Sequence, residues 1–267
     1  MEIHAQTSLN GVLPLAPLLV LGAILFAYLA AAIRPRRQPR PWSRWRTAWF
    51  TVGIGLLALT LSPPLERLAH HDIRGHMIQH LLIGMFAPLG LVLAAPVTLA
   101  LRTLPVRAAR FVTTTLGSRP LRWIAHPATA LILNVGGMYL LYLTPIYLAT
   151  LTNSYLHHLV QIHFLVAGSL FAWAIAGPDS APHRPGPLTR LIVLFLGIAA
   201  HATLAKVMYA YLLPRGTSYS DDQIRAAAQL MYYGGDLAEL LLAVVLFSTW
   251  YRVRNRRQSQ SVITGLE

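Results

Sequence analysis

The chain contains no cysteine, which excludes disulfides, thiolate metal ligands and thiol-based redox chemistry. Charge is scarce as well: 12% of its 267 residues are Asp, Glu, Lys or Arg, against roughly 25% in a typical soluble domain. Acidic residues are the scarcest, 9 against 22 Lys and Arg, which leaves a formal net charge of +13. In a soluble protein that imbalance would suggest nucleic acid. Here the basic residues sit in short loops between apolar runs, so the expected partner is a lipid bilayer and not nucleic acid. With 55% hydrophobic residues and such runs throughout, the sequence predicts an all-α, polytopic membrane helix bundle. A single bundle accounts for residues 1–267 and leaves little for a soluble domain.

About seven transmembrane helices are expected, at residues 12–33, 47–61, 75–101, 128–148, 155–176, 191–213 and 226–250. The first is read as a retained span, because its basic flank follows the apolar run instead of preceding it and no cleavage site is evident. The second is short and stops at Ser62-Pro63-Pro64, so its start is sought within the tryptophan-rich segment before it. Pro88 and Pro96 predict a kink or early end in the third. Residues 102–122 carry five arginines among apolar residues, the pattern of an interfacial amphipathic stretch. Seven spans alternate the loops between two sides, and one side collects 17 of the 22 basic residues. The positive-inside rule makes that side cytoplasmic, with the N-terminus outside and the C-terminus inside.

The eleven histidines are distributed unevenly. His70, His71, His76 and His80 fall in the outer loop and first turns of the third span, and His157, His158 and His163 in the outer half of the fifth. His201 lies near the middle of the sixth; His126 and His183 belong to the cytoplasmic side, and His4 to the outer tail. In His76-Met77-Ile78-Gln79-His80, positions four apart share a helix face, so both imidazoles can reach one metal ion. Asp72 precedes His76 by four and is placed to take its second ring N–H. Gln79 and Gln161 are neighbouring hydrogen-bond donors, and Met77 is the thioether best placed to join a soft metal. On the fifth span at most two of the three histidines face one site. His163, being deeper, is favoured together with one of His157 and His158. Lys206 is expected to pair with Asp236 or Glu239, since buried ions in lipid usually pair. Tyr209, Tyr211, Tyr232 and Tyr233 suit an aromatic interface belt.

The runs Ser62-Pro63-Pro64-Leu65-Glu66, His76-Met77-Ile78-Gln79-His80-Leu81-Leu82, Ala87-Pro88-Leu89 and Ala95-Pro96 resemble the signature of the CtaG family of membrane-integral cytochrome c oxidase assembly factors. His126-Pro127, the stretch from His157 to Phe164, and Asp222-Gln223 extend the likeness along nearly the whole chain. It departs from the pattern after Gln223, where Ile-Arg-Ala-Ala-Ala-Gln stands in place of a Gly-rich turn. The resemblance implies a seven-helix protein of the bacterial plasma membrane that aids maturation of a haem–copper oxidase by supplying copper. His76, His80, His163 and one of His157 or His158 match the implied ligands.

On this reading Cu(I) enters past His70 and His71, is held by His76, His80 and a fifth-span histidine, and passes to an oxidase subunit by ligand exchange. Imidazole suits copper, and no substrate bond is made or broken, so the chain is not read as an enzyme. A homodimer is compatible with the sequence. The rival readings are a haem-binding membrane cytochrome, a metal transporter, and a scaffold whose histidines are interhelical hydrogen-bond glue.

Overall fold

Lipid offers no partner to a free backbone amide, so each apolar run must close its own hydrogen bonds as a helix. The computed structural model describes residues 16–34, 41–179 and 184–264, and every regular element among them is helical. In chain order these are α1 (Ala16–Ile33), α2 (Arg44–Thr60), α3 (Pro63–His71), α4 (Ile73–Leu81), a π turn (Leu82–Phe86), α5 (Ala87–Leu93), α6 (Pro96–Thr103), α7 (Val106–Leu116), α8 (Arg119–Ile124), α9 (Pro127–Leu143), α10 (Ile146–Thr152), α11 (Ser154–Ala176), α12 (Pro187–Tyr211) and α13 (Asp221–Thr264). Among the described residues five stretches are long and apolar enough to cross a membrane: α1, α4 through α5, α11, α12 and α13 up to Arg252. Two bent pairs, α2 with α3 (54°) and α9 with α10 (77°), bring the number to as many as seven when each pair counts as one span. His4, His183 and residues 12–15 of the first expected span lie outside the described residues.

The third span is the hub. Its most apolar window is 61% buried inside the protein, against 11% for α1. Helices α2 and α11 close on it through small residues: a Cβ at Gly168 would collide with the Gly84 carbonyl oxygen, so only glycine lets these two backbones touch. Pro88 explains the π turn, because it has no N–H to give the Gly84 carbonyl and the chain widens instead, Ala87 N–H reaching Leu82.

The expected continuation of this span to residue 101 is corrected. The helix stops at Leu93, and Ala95 turns the chain with φ 51°, a left-handed conformation that costs an alanine about 1–2 kcal/mol. Two distant groups hold the break. Tyr28 Oη donates to the Ala94 carbonyl (2.9 Å), and the buried Asp179 carboxylate accepts from Thr98 N–H (2.8 Å) in the first turn of α6. The fourth span likewise ends early, at Leu143, where Thr144-Pro145 bends the chain by 77° into α10. Loops expected at 62–74 and 150–154 are therefore largely helical, in α3 and α10.

Candidate functional site

Helix α4 presents the sharpest polar surface in the bundle core. Asp72 starts it as N-cap, accepting from Arg74 N–H (2.8 Å) and from the Arg74 guanidinium, whose hydrogen bond holds the carboxyl below the usual carboxylate range. The Asp72 side chain is thus engaged by Arg74 and not by the His76 ring. Only its main-chain oxygen meets His76, accepting the backbone N–H at 3.2 Å.

His76 and His80 do share a face. Both line a cavity of about 20 Å³ with Gln79, Thr150, His157 and Gln161, and a space of that size holds one water-sized species. The His76 ring stands edge-on to Tyr147 (centroids 5.0 Å apart) and the His80 ring edge-on to Phe164 (4.7 Å). His76 Nε2 and His80 Nδ1 are buried with no hydrogen-bond partner, while His80 Nε2 lies 3.2 Å from Met138 Sδ. Gln79 donates to the Thr60 carbonyl at the end of α2 (3.0 Å), leaving its own side-chain oxygen unpartnered. Met77 is wholly buried and does not line the cavity; its sulfur faces the Tyr142 hydroxyl at 3.9 Å.

On α11 it is His157 that lines this cavity. Its Nε2 is 2.8 Å from Gln161 Nε2, and its ring lies 5.3 Å from that of His70 and 5.7 Å from that of His158. His158 is exposed, and His70 and His71 are exposed at the end of α3. His163, favoured from its depth, turns the other way: its Nε2 sits 3.1 Å from the Leu133 carbonyl on α9. The reason is angular, since six residues at about 100° each carry it some 120° around the helix from His157.

Among the described residues no three His, Asp or Glu side chains converge closely enough to enclose one ion. This chain therefore brings two or three imidazoles to the rim of a cavity without forming a closed cage. Deeper in the bundle His201 packs against Gly235, where a Cβ would strike its ring, and its Nδ1 is 3.9 Å from Glu239 Oε1. The expected pairing of Lys206 is corrected: its ammonium lies 5.4 Å over the Tyr232 ring on the exposed side of α12, and Glu239 meets His201 instead. Asp236 is half-buried and in no ion pair among the described residues.

The sequence reading missed Met138, Tyr142, Tyr147 and Thr150. Met138 and Tyr142 recur four apart on α9, a helical face that was legible. Tyr147 and Thr150 reach the site only through the bend at Pro145, which no periodicity announces.

Residues 26–253 match the family model described as cytochrome c oxidase caa3 assembly factor. Uncharacterized proteins of Mycobacterium bovis and Mycobacterium tuberculosis are each 34% identical over 259 residues, and one of Mycobacterium leprae is 31% identical over 260. Each alignment covers 90% of this chain and 39% of the relative, so the chain spans about two fifths of the length of the curated relatives it matches. No solved structure matches it.

Proposed function

Because this chain belongs to the cytochrome c oxidase caa3 assembly factor family, we propose that it serves haem–copper oxidase maturation in a bacterial plasma membrane by carrying Cu(I) as cargo. The carrying observation is the pair of orphaned imidazole nitrogens, His76 Nε2 and His80 Nδ1, on residues that line one small cavity beside His157. A buried polar atom without a partner costs about 1–3 kcal/mol, and a coordinated ion relieves it. Met138 Sδ beside His80 adds a soft thioether, which suits Cu(I) better than harder cations.

The open ligand set supports delivery rather than storage, because two or three ligands leave a position for the receiving oxidase subunit to attack. Transfer is ligand exchange, so no substrate bond changes and the protein is not an enzyme. The arginine distribution supports a cytoplasmic tail and, with it, an outward-facing cavity approached past His70 and His157. A cavity of about 20 Å³ weighs against haem as the occupant.

The test is Cu(I) competition against a colorimetric chelator using purified full chain. Wild type is expected to take up one ion per chain, and the His76→Ala/His80→Ala variant none. Retention of copper by a folded double variant would overturn the reading, as would a cavity that holds only water in the wild type.

A further inference from the structure

At the other end of the third span, roughly 20 Å along the helix from His76, the arginine-rich side carries a second cavity of about 590 Å³. It lies between α5, α7, α8 and α11, and Leu91, Val92, Leu121, Leu165, Leu170 and Trp173 are among its apolar lining. That volume falls within the roughly 300–1,000 Å³ of small-molecule sites. Neither α7 nor α8 buries a single residue against the protein. Several of their apolar side chains, Val106, Phe111 and Trp123 among them, remain exposed, as expected of helices that rest in the lipid interface.

Two guanidiniums line the same cavity, Arg122 from α8 and Arg184 from the segment before α12. Arg184 is held in place: it donates to the Gly177 carbonyl and to the Asp179 carbonyl (2.9 Å), and its guanidinium carbon lies 5.5 Å from the Trp173 ring centroid. Its Nε is nevertheless buried with no partner. Arg122 is exposed and in no ion pair among the described residues. From Arg102 to Arg190 the chain has seven arginines and one carboxylate, Asp179, and one oxygen of that carboxylate is taken by Thr98. An apolar cavity at the arginine-rich end, lined by one anchored guanidinium and one exposed one, with Asp179 as the single carboxylate beside them in this stretch of chain, matches an acyl chain attached to a negative headgroup.

We propose that this cavity binds one anionic phospholipid, its acyl chain along the Leu91–Leu170 wall and its phosphate between Arg122 and Arg184. A zwitterionic lipid fits the same wall but carries its own cation to the arginines, so the site discriminates by charge. An arginine near an anionic lipid surface contributes about fivefold to binding.

Native mass spectrometry of the delipidated full chain, titrated with phosphatidylglycerol or phosphatidylcholine, tests this. Wild type is expected to bind one phosphatidylglycerol in preference to phosphatidylcholine. Arg122→Gln should reduce that preference about fivefold and Arg122→Gln/Arg184→Gln about 25-fold, with Arg252→Gln/Arg254→Gln in the tail unchanged. Ser169→Phe, which fills the cavity and keeps both charges, should lose the bound lipid. Equal binding of the two lipids by wild type overturns the proposal, as does an undiminished preference in Arg122→Gln or full occupancy in Ser169→Phe. Arg122 is exposed and in no ion pair among the described residues, so that arm stands even if the double variant misfolds.

Discussion

Helices α4 and α11 each carry histidines toward the same end of the bundle, yet they use them differently. On α4 the spacing of four aims His76 and His80 at one cavity; on α11 His157, His158 and His163 point in three directions. The face α11 does turn to the third span is a stripe of His157, Gln161, Phe164 and Gly168, positions 0, 4, 7 and 11 of a helical repeat. Its upper half supplies a polar wall and its lower half a glycine that lets the backbones meet. Burial depth is therefore a poor guide to a ligand, and angular position along the repeat is a good one.

The contrast breaks most severely at Gly168. Replacing it with leucine drives a side chain into the Gly84 carbonyl, and overpacking of this kind costs about 1–3 kcal/mol or more. Thermal unfolding in detergent should show the largest loss of any single change considered. Next comes the comparison of His80→Ala with His163→Ala. The first should weaken Cu(I) binding by more than the roughly 10–100-fold that loss of a supporting residue costs, and the second should leave it within about twofold. Equal losses from the two would mean that α11 contributes through His163 after all. Met138→Leu nearly conserves volume, so stability should fall by less than about 1.5 kcal/mol, while Cu(I) affinity drops about tenfold if the thioether is a ligand.

The smallest effect is expected at Asp72. Its carboxyl is held below its ordinary value by Arg74, so this contribution to stability is complete above the unfolded-state value near pH 4 and fades as pH falls through the lowered folded value. Asp72→Asn should lower stability slightly across the neutral range, where the contribution is complete, and flatten the acid limb below about pH 4, where wild type loses it as well. An unaltered acid limb would show that the Arg74 contact does not survive in solution.

Much of the architecture was legible because lipid imposes a simple rule, that apolar runs of sufficient length become helices. The five to seven candidate spans and the arginine-rich α7–α8 stretch followed from it. What did not follow depended on contacts between distant residues. Asp179 capping α6, Tyr28 holding the carbonyl at Ala94, and the fold-back at Pro145 that delivers Tyr147 and Thr150 leave no local signal. In the site, His76, His80 and Gln79 were found because helical spacing fixes their direction. Lys206 was misjudged because pairing was inferred from charge alone, while the bend of its side chain toward Tyr232 depends on where α12 meets the outside of the bundle.

The most direct measurement is X-ray absorption at the copper edge on the full chain loaded with Cu(I). The predicted spectrum contains imidazole nitrogen scattering that disappears in His76→Ala/His80→Ala, and a sulfur shell that Met138→Leu removes. A spectrum without imidazole, or one that the histidine substitutions leave unaltered, would contradict the account.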